Sequence, residues 1–467
     1  MINYKRLISA LIILTFTGLT IAQTSTNSPY TRYGFGSLAD QGFGNSKAMG
    51  GIAYGLRNGY QINASNPASY TAVDSLTFLF DAGMTLQNAN FKEGNIKTNA
   101  KNSSFDYLAM QFRLWKRMGM AVGFLPFSTV GYSLSNTSEL TKDEDGTVIN
   151  KTASYAGDGG LQQVFAGVGF KVLDNLSIGA NISYIYGDIT HSVTTAFSNS
   201  SSFSSVRLDK ISINDYKLDF GLQYSYKFNK KHVLNFGAVY SLGHSVNGKG
   251  YKYNQKWLNG ADYPSTQTGD TITNAFSLPH TFGAGLTYVY DNRLTIGADF
   301  TYQQWEDAKF YNEKSYFSNR TKIAAGAEFV PNPYSRNYLK RVRYRVGGYY
   351  SDPYTKVDGQ DGTREYGVSA GFGFPLFQSK SILNISGQYV RVSPKVKGML
   401  EENYLKIWLQ EDKKTVITEE MRYFTIYHIQ GCLSVLNHWV ESNFAYSKKK
   451  MLTFLRLLND NIEPIMP

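Results

Sequence analysis

Apolar and polar residues alternate with a period of two along most of this chain, most clearly between Thr281 and Gln303. Phe282, Ala284, Leu286, Tyr288 and Tyr290 alternate with Thr281, Gly283, Gly285, Thr287 and Val289. After Asp291-Asn292-Arg293, the residues Leu294, Ile296, Ala298, Phe300 and Tyr302 alternate with Thr295, Gly297, Asp299, Thr301 and Gln303. Period two means extended strands and the intervening triplet has turn chemistry, so an antiparallel hairpin is predicted. Strands of about ten residues with one wholly apolar face suit a wall between lipid and a wet lumen. Strands of a soluble sandwich are usually shorter.

The same unit recurs. Tyr216, Leu218, Phe220, Leu222, Tyr224, Tyr226 and Phe228 oppose Lys217, Asp219, Gly221, Gln223, Ser225 and Lys227. Leu176, Ile178, Ala180, Ile182, Tyr184 and Tyr186 oppose Ser177, Gly179, Asn181 and Ser183. Strands are expected at 76–88, 104–114, 118–136, 161–172, 175–187, 213–228, 231–243, 279–290, 293–304, 320–330, 341–351, 364–375 and 381–392, with a damaged candidate at 402–409. Short links at 116–117, 173–174, 229–230, 291–292 and near 378–379 alternate with long ones such as 137–160, 188–212 and 244–278. Short turns on one side and long loops on the other is the outer-membrane pattern, with the long side extracellular. One short-side link, 331–340 with Pro331 and Pro333, is longer than that pattern expects.

The expected fold is therefore all-β: a transmembrane antiparallel β-barrel of about fourteen strands with an N-terminal hatch plugging the lumen. Composition agrees, with 43 Gly, 35 Tyr and 29 Phe and a mean hydropathy of only -0.31. Barrels hide their apolar surface in alternation, whereas helical membrane proteins show it in long runs. At the N-terminus Lys5 and Arg6 precede an apolar run from Leu7 to Ile21 and the small-residue pattern before Gln23. This reads as a signal peptide, residues 1–22, cut after Ala22, and places the protein in the cell outer membrane of a Gram-negative organism. The net charge of +11 is scattered, without the basic stripe that nucleic acid requires, and fits contact with outer-membrane lipid and lipopolysaccharide. Cys432 is the only cysteine, which rules out a disulfide framework within the chain.

Residues 23–75 lack strand periodicity but carry Tyr30, Tyr33, Phe35 and Tyr60, a short helix expected at 47–56, and the polar stretch Asn63-Ala64-Ser65-Asn66-Pro67-Ala68-Ser69. A segment of this length must pack somewhere, and the barrel interior is the place expected. The barrel proper is expected over 76–409. The tail, 410–467, does not share the pattern and reads either as a helical appendage or as a frame-shifted end.

The opening Tyr30-Thr31-Arg32-Tyr33-Gly34-Phe35-Gly36, the Asn66-Pro67-Ala68 turn before the first strand, and the strand count resemble FadL-type outer-membrane transporters. The resemblance covers about residues 25–409, in the branch found in Bacteroidota-like bacteria, and is also similar to PorV-type barrels. It implies uptake of hydrophobic small molecules, typically long-chain fatty acids, by passive diffusion with lateral release into the membrane. Asn66, Pro67 and Ala68 would belong to the hatch, and Leu125-Pro126-Phe127 in the third strand would be the lateral gate. Proline donates nothing to a ladder, so Pro126 forces a gap, a bulge or an edge. The segment 60–70 is the part of the hatch expected to move.

Ligand capture would fall to the long loops 188–212 and 244–278. Tyr251, Tyr253, Trp257, Leu258 and Tyr263 offer more apolar area than a solvated loop needs, either for a ligand or for packing loop on loop. The PorV-like reading is instead a barrel that holds secreted proteins at the surface. Implied partners are a hydrophobic ligand, outer-membrane lipid and the barrel-assembly machinery, with no nucleic acid, no cofactor, no metal and a monomeric state. Catalysis has thin support. His244, Ser245 and His280 flank the longest loop without a recognisable oxyanion site, and Asp143, Glu144 and Asp145 match no calcium loop.

Overall fold

The computed structural model describes residues 26–75, 77–142, 145–199, 202–258, 266–357, 359–376, 381–394 and 399–416. The expected signal peptide and everything beyond Val416 lie outside the described residues. The chain divides into two compact units, residues 1–75 with 79–414, and residues 76–78 with 415–467. The large unit contains the barrel wall and the N-terminal segment.

Fourteen strands form the wall. In chain order the first seven are β1 (Thr77–Glu93), β2 (Ile96–Trp115), β3 (Met118–Lys142), β4 (Val148–Lys171), β5 (Leu176–Phe197), β6 (Phe203–Lys227) and β7 (His232–Ser241). The remainder are β8 (Thr281–Tyr290), β9 (Leu294–Gln303), β10 (Arg320–Phe329), β11 (Arg343–Ser351), β12 (Thr363–Pro375), β13 (Ile382–Pro394) and β14 (Glu401–Val416). Each pairs with its sequence neighbour, and β14 pairs with β1, so the ring closes and leaves no sheet edge in the lipid.

Period two sorts the side chains as lipid demands. Phe220, Leu222, Phe282, Leu286, Ile296 and Phe300 are exposed, whereas Asn181, Gln223, Asn235, Asp299, Arg345 and Asn384 are buried. This inverts a soluble protein and is the arrangement of a barrel with an apolar outer band and a polar interior.

Three expectations need correction. The last strand does not end at Leu409. Gln410, Asp412 and Lys414 continue it inward, and a charged inner face hides a strand from a search for apolar alternation. The expected helix at 47–56 is a single turn at Gly44–Ala48. The long extracellular link 244–278 is largely a hairpin, Gly248–Leu258 paired with Thr266–Thr273, with the first of these also laddered onto β6. Likewise β3 to β6 run for 25, 24, 22 and 25 residues, well beyond the 9–11 or so that cross a bilayer. Their upper halves stand outside the membrane as a projecting sheet.

Candidate functional site

The wall departs from regular pairing beside Pro126. The ladder between β2 and β3 starts at Trp115–Met118 and, among the described pairs, ends at Leu108–Phe124. On its other side β3 stays paired with β4 up to Lys142–Val148 but skips Phe127, a bulge between Pro126 and Ser128. The bend continues into the next ladder, where regular β4–β5 pairing breaks between Gly159–Ile189 and Gln162–Tyr186. Gly159, Gly160 and Gly187 adopt positive φ there. Proline supplies no N–H and the glycines take backbone angles that other residues avoid, so the sequence itself writes the kink. In the sequence the signals for this kink are Pro126 and the glycines of Ala156-Gly157-Asp158-Gly159-Gly160.

The N-terminal segment enters this irregular stretch as a short extra strand. Ser37 and Leu38 pair antiparallel with Thr129 and Ser128. The Ala39 amide donates to the Phe127 carbonyl at 3.0 Å, and Gln41 Nε2 donates to the Pro126 carbonyl at 3.3 Å. Thr31 Oγ1 accepts from the Gly131 amide at 3.2 Å. We refer to residues 26–41 as the strap.

Above the strap, on the long-loop side, aromatic rings fill the mouth. Phe35 is fully buried, with ring centroids 5.4 Å from Phe310, 5.9 Å from Phe317 and 6.1 Å from Trp305. Gly34 and Gly36 flank it with φ of 60° and 85°. A Cβ on Gly34 would strike the Phe317 ring, and one on Gly36 the Thr129 carbonyl, so both positions need glycine to swing Phe35 inward. The Tyr354 hydroxyl donates to the Gly36 carbonyl. The aromatic-glycine opening of the segment is thus the centre of the seal.

Below the seal lies a cavity of about 410 Å³ whose lining includes Leu38, Gln41, Pro126 and Phe127. Its other walls mix apolar surface, from Phe165, Val239, Leu242, Ala324 and Val390, with buried ion pairs. Lys47 meets Asp106 at 2.8 Å, Lys322 meets Asp40 at 3.1 Å, and Lys217 meets Asp219.

The rest of the N-terminal segment is bonded to inward positions around the ring. Asn66 Nδ2 donates to the carbonyls of Tyr54 at 2.8 Å and Leu222 at 3.2 Å, while its Oδ1 accepts from the Ala68 amide at 3.1 Å. Pro67 then starts the 3-10 turn Pro67–Ala72, which Asn66 caps. Gln223 Nε2 donates to the carbonyls of Tyr54 and Leu56, both at 2.9 Å. Asp299 accepts the amides of Ala53 and Tyr54. Arg57 reaches Gln223 at 3.1 Å and Thr71 at 2.8 Å. Burial pulls its guanidinium down to about 10, which leaves it charged at neutral pH.

The remaining candidates fall elsewhere. Leu125 is buried on β3 next to Pro126. Tyr251, Tyr253, Trp257 and Leu258 belong to a strand rather than a loop, and Tyr263 lies outside the described residues. Tyr251 and Tyr253 pair with Lys210 and Leu208, and alternation along β6 puts those on the outward face shared with Tyr216 and Leu218. The rim histidines do not converge. His280 Nδ1 pairs with the Tyr240 hydroxyl at 2.8 Å, whereas His244 stacks on Tyr216 and faces Asp215 at 3.7 Å. Asp143 and Glu144 lie outside the described residues.

A sequence model of the BamG family matches residues 1–410. The chain belongs to the BamG family. No curated protein matches it. Among solved structures, the CymD monoaromatic hydrocarbon channel is similar at 14% identity and a TM-score of 0.54, over 81% of this chain and 99% of that one. The Ralstonia pickettii toluene transporter TbuX is similar at 14% identity and a TM-score of 0.54, over 80% and 98%. A Pseudomonas aeruginosa FadL homologue matches at 14% identity and a TM-score of 0.53, over 82% and 100%. At such identities the likeness is one of fold. This BamG-family chain shares its barrel fold with structures of a hydrocarbon channel, a toluene transporter and a FadL homologue.

Proposed function

We propose that this barrel admits hydrophobic small molecules, of fatty acid or aromatic hydrocarbon type, and releases them sideways into the membrane beside Pro126, with the N-terminal segment as its hatch. The observation that carries this reading is the end of the β2–β3 ladder at Leu108–Phe124, where the cavity lining includes Pro126 and Phe127. The names of the fold relatives, a hydrocarbon channel and a toluene transporter, support it. The apolar part of the lining supports it as well, since an apolar ligand gains about 0.8 kcal/mol for each CH2 kept from water and Leu38, Phe127, Phe165 and Val239 offer such surface on the way to Pro126. The contact that would open is the two-residue pairing of Ser37 and Leu38 with Thr129 and Ser128, whereas in the segment 60–70 Asn66, Ala68 and Tyr70 are wholly buried.

A second reading has its own support. The aromatic seal at the mouth and the projecting sheet of β3 to β6 suit a barrel that holds secreted proteins at the surface. One experiment separates the two. Leu38→Cys and Ser128→Cys lie directly opposite each other, within disulfide reach, and Cys432→Ser removes the competing thiol. Proteoliposomes of this variant should take up labelled oleate or toluene when reduced and lose that uptake when oxidised. Pro126→Ala should slow uptake in the same assay. Equal uptake in the oxidised and reduced states would end the lateral-gate proposal and leave the surface-anchor reading.

A further inference from the structure

We infer that the link between β10 and β11, residues 330–342, is a docking site on the periplasmic face for an acidic protein that takes the Tyr334 ring into a pocket. Other links on that side are shorter, at 116–117, 172–175, 228–231, 291–293 and 376–381. This one is a built structure. The Asn332 amide donates to the Lys340 carbonyl at 2.8 Å, and the Ser335 amide donates back to the Asn332 carbonyl at 3.2 Å. Asn332 Oδ1 accepts the Tyr334 amide at 3.0 Å, and Ser335 Oγ accepts the Asn337 amide at 3.1 Å. Asn337 caps the 3-10 turn Tyr338–Arg341 through the Leu339 amide.

A link so tied together would be expected to bury its apolar residues, yet Tyr334 is 92% exposed and Leu339 65%. Around them stand Arg336, Lys340 and Arg341, with no Asp or Glu between Pro331 and Val342. Among the described residues none of these three cations has a carboxylate partner. Exposed Tyr and Arg on a backbone already tied in place are what a protein interface uses as anchors, because the ordering cost of the loop itself is already met. Unmatched positive charge selects a partner of opposite sign and speeds its encounter. Lipid headgroups would also attract cations, but a fluid surface asks for apolar area and charge rather than a fixed backbone. Phe329 and Tyr344, at the ends of β10 and β11, already supply the interfacial aromatics there.

The test places a photoreactive phenylalanine analogue at position 334 or 339 of the full-length protein in the outer membrane, with and without Arg336→Glu, Lys340→Glu and Arg341→Glu. The expected result is one discrete protein adduct at both positions, lost on charge reversal. The acidic protein identified from it should, once purified, bind the barrel in nanodiscs, with Kd raised about tenfold or more by Tyr334→Ala. Phospholipid adducts alone, no discrete adduct, or a protein adduct that survives charge reversal would each overturn the inference. Heat-modifiable migration on gels shows that each variant is folded.

Discussion

Gly169 on β4 lies directly opposite Gly179 on β5, and the Pro67 carbonyl of the N-terminal segment rests over both. The relationship extends along the wall. Gly119, Gly169, Gly179 and Gly221 stand in line across β3 to β6, and Gly297, Gly326 and Gly347 across β9 to β11. Tyr70 rests against Gly119 and Gly169, Pro67 against Gly169, Gly179 and Gly221, and Met49 against the last two glycines of the second group. These inward glycines form a track for the segment's backbone, which approaches more closely than any side chain would allow.

A Cβ at position 179 would come within 2.6 Å of the Ala68 amide nitrogen. Gly179→Val should therefore displace the Pro67 turn and cost about 1–3 kcal/mol, the usual range for overpacking. Ala180→Val, on the neighbouring outward position, should be near neutral. The comparison is made by the midpoint of heat-modifiable gel migration and by proteolysis of the N-terminal segment, which only the first variant should sensitise.

The barrel itself was legible in the sequence because lipid imposes a rule on every second residue. Phe220 and Leu222 must be apolar where Gly221 and Gln223 need not be. The rule lapses outside the bilayer, so Thr137 to Lys142 on β3, and the matching reaches of β4 to β6, read as loops while being strands. The end of β14 was hidden in a different way, by a charged inner face at Gln410, Asp412 and Lys414 whose partners are far away in sequence. Pro126 announced the kink by its missing N–H. The glycine track gave no local sign, since each glycine reads as merely small until the segment that needs it is in place.

Asn66 satisfies three backbone groups with one side chain, and it is wholly buried. Asn66→Ala removes the cap on the Pro67–Ala72 turn and a donor to two carbonyls. The expected loss is about 1–3 kcal/mol. Asn66→Asp keeps the cap but aims a carboxylate at the Tyr54 and Leu222 carbonyls, and it should be the worse of the two. Urea unfolding of the detergent-solubilised protein, followed by tryptophan fluorescence, gives the order. An aspartate variant as stable as wild type would show that the Tyr54 and Leu222 bonds contribute nothing.

The seam between the first and last strands turns on Gln410. Its Nε2 donates to Asp81 at 2.9 Å and to Asp412 at 2.6 Å, while Asp412 also accepts from Asn384 at 2.8 Å and from Asn45 of the N-terminal segment at 3.1 Å. The Gln410 amide thus bridges two buried acidic groups, Asp81 and Asp412. Gln410→Glu replaces the shared donor with a third acceptor, and an unpaired buried charge typically costs about 3–5 kcal/mol. Folding yield into detergent micelles should fall sharply, and Gln410→Met, which removes the donor without adding charge, should fall less. Equal yields would mean that the seam is set by main-chain pairing alone.

Phe35 offers the sharpest test of the seal. It packs at the centre of Phe276, Trp305, Phe310 and Phe317, with every ring centroid within 6.2 Å. Phe35→Ala opens a void there and should cost about 3–5 kcal/mol. Trp305 and Tyr354 of the same cluster also line the cavity, so the void widens the way into it from the long-loop side. Single-channel recordings in planar bilayers should show ion conductance for Phe35→Ala and little for the wild type. Phe35→Leu, which keeps most of the volume, should stay closed. A conducting wild type would show that the aromatic cluster is no barrier, whereas a silent alanine variant that still migrates as a folded barrel would place the barrier to ions among the bonds that tie Tyr54, Asn66 and Gln223 together.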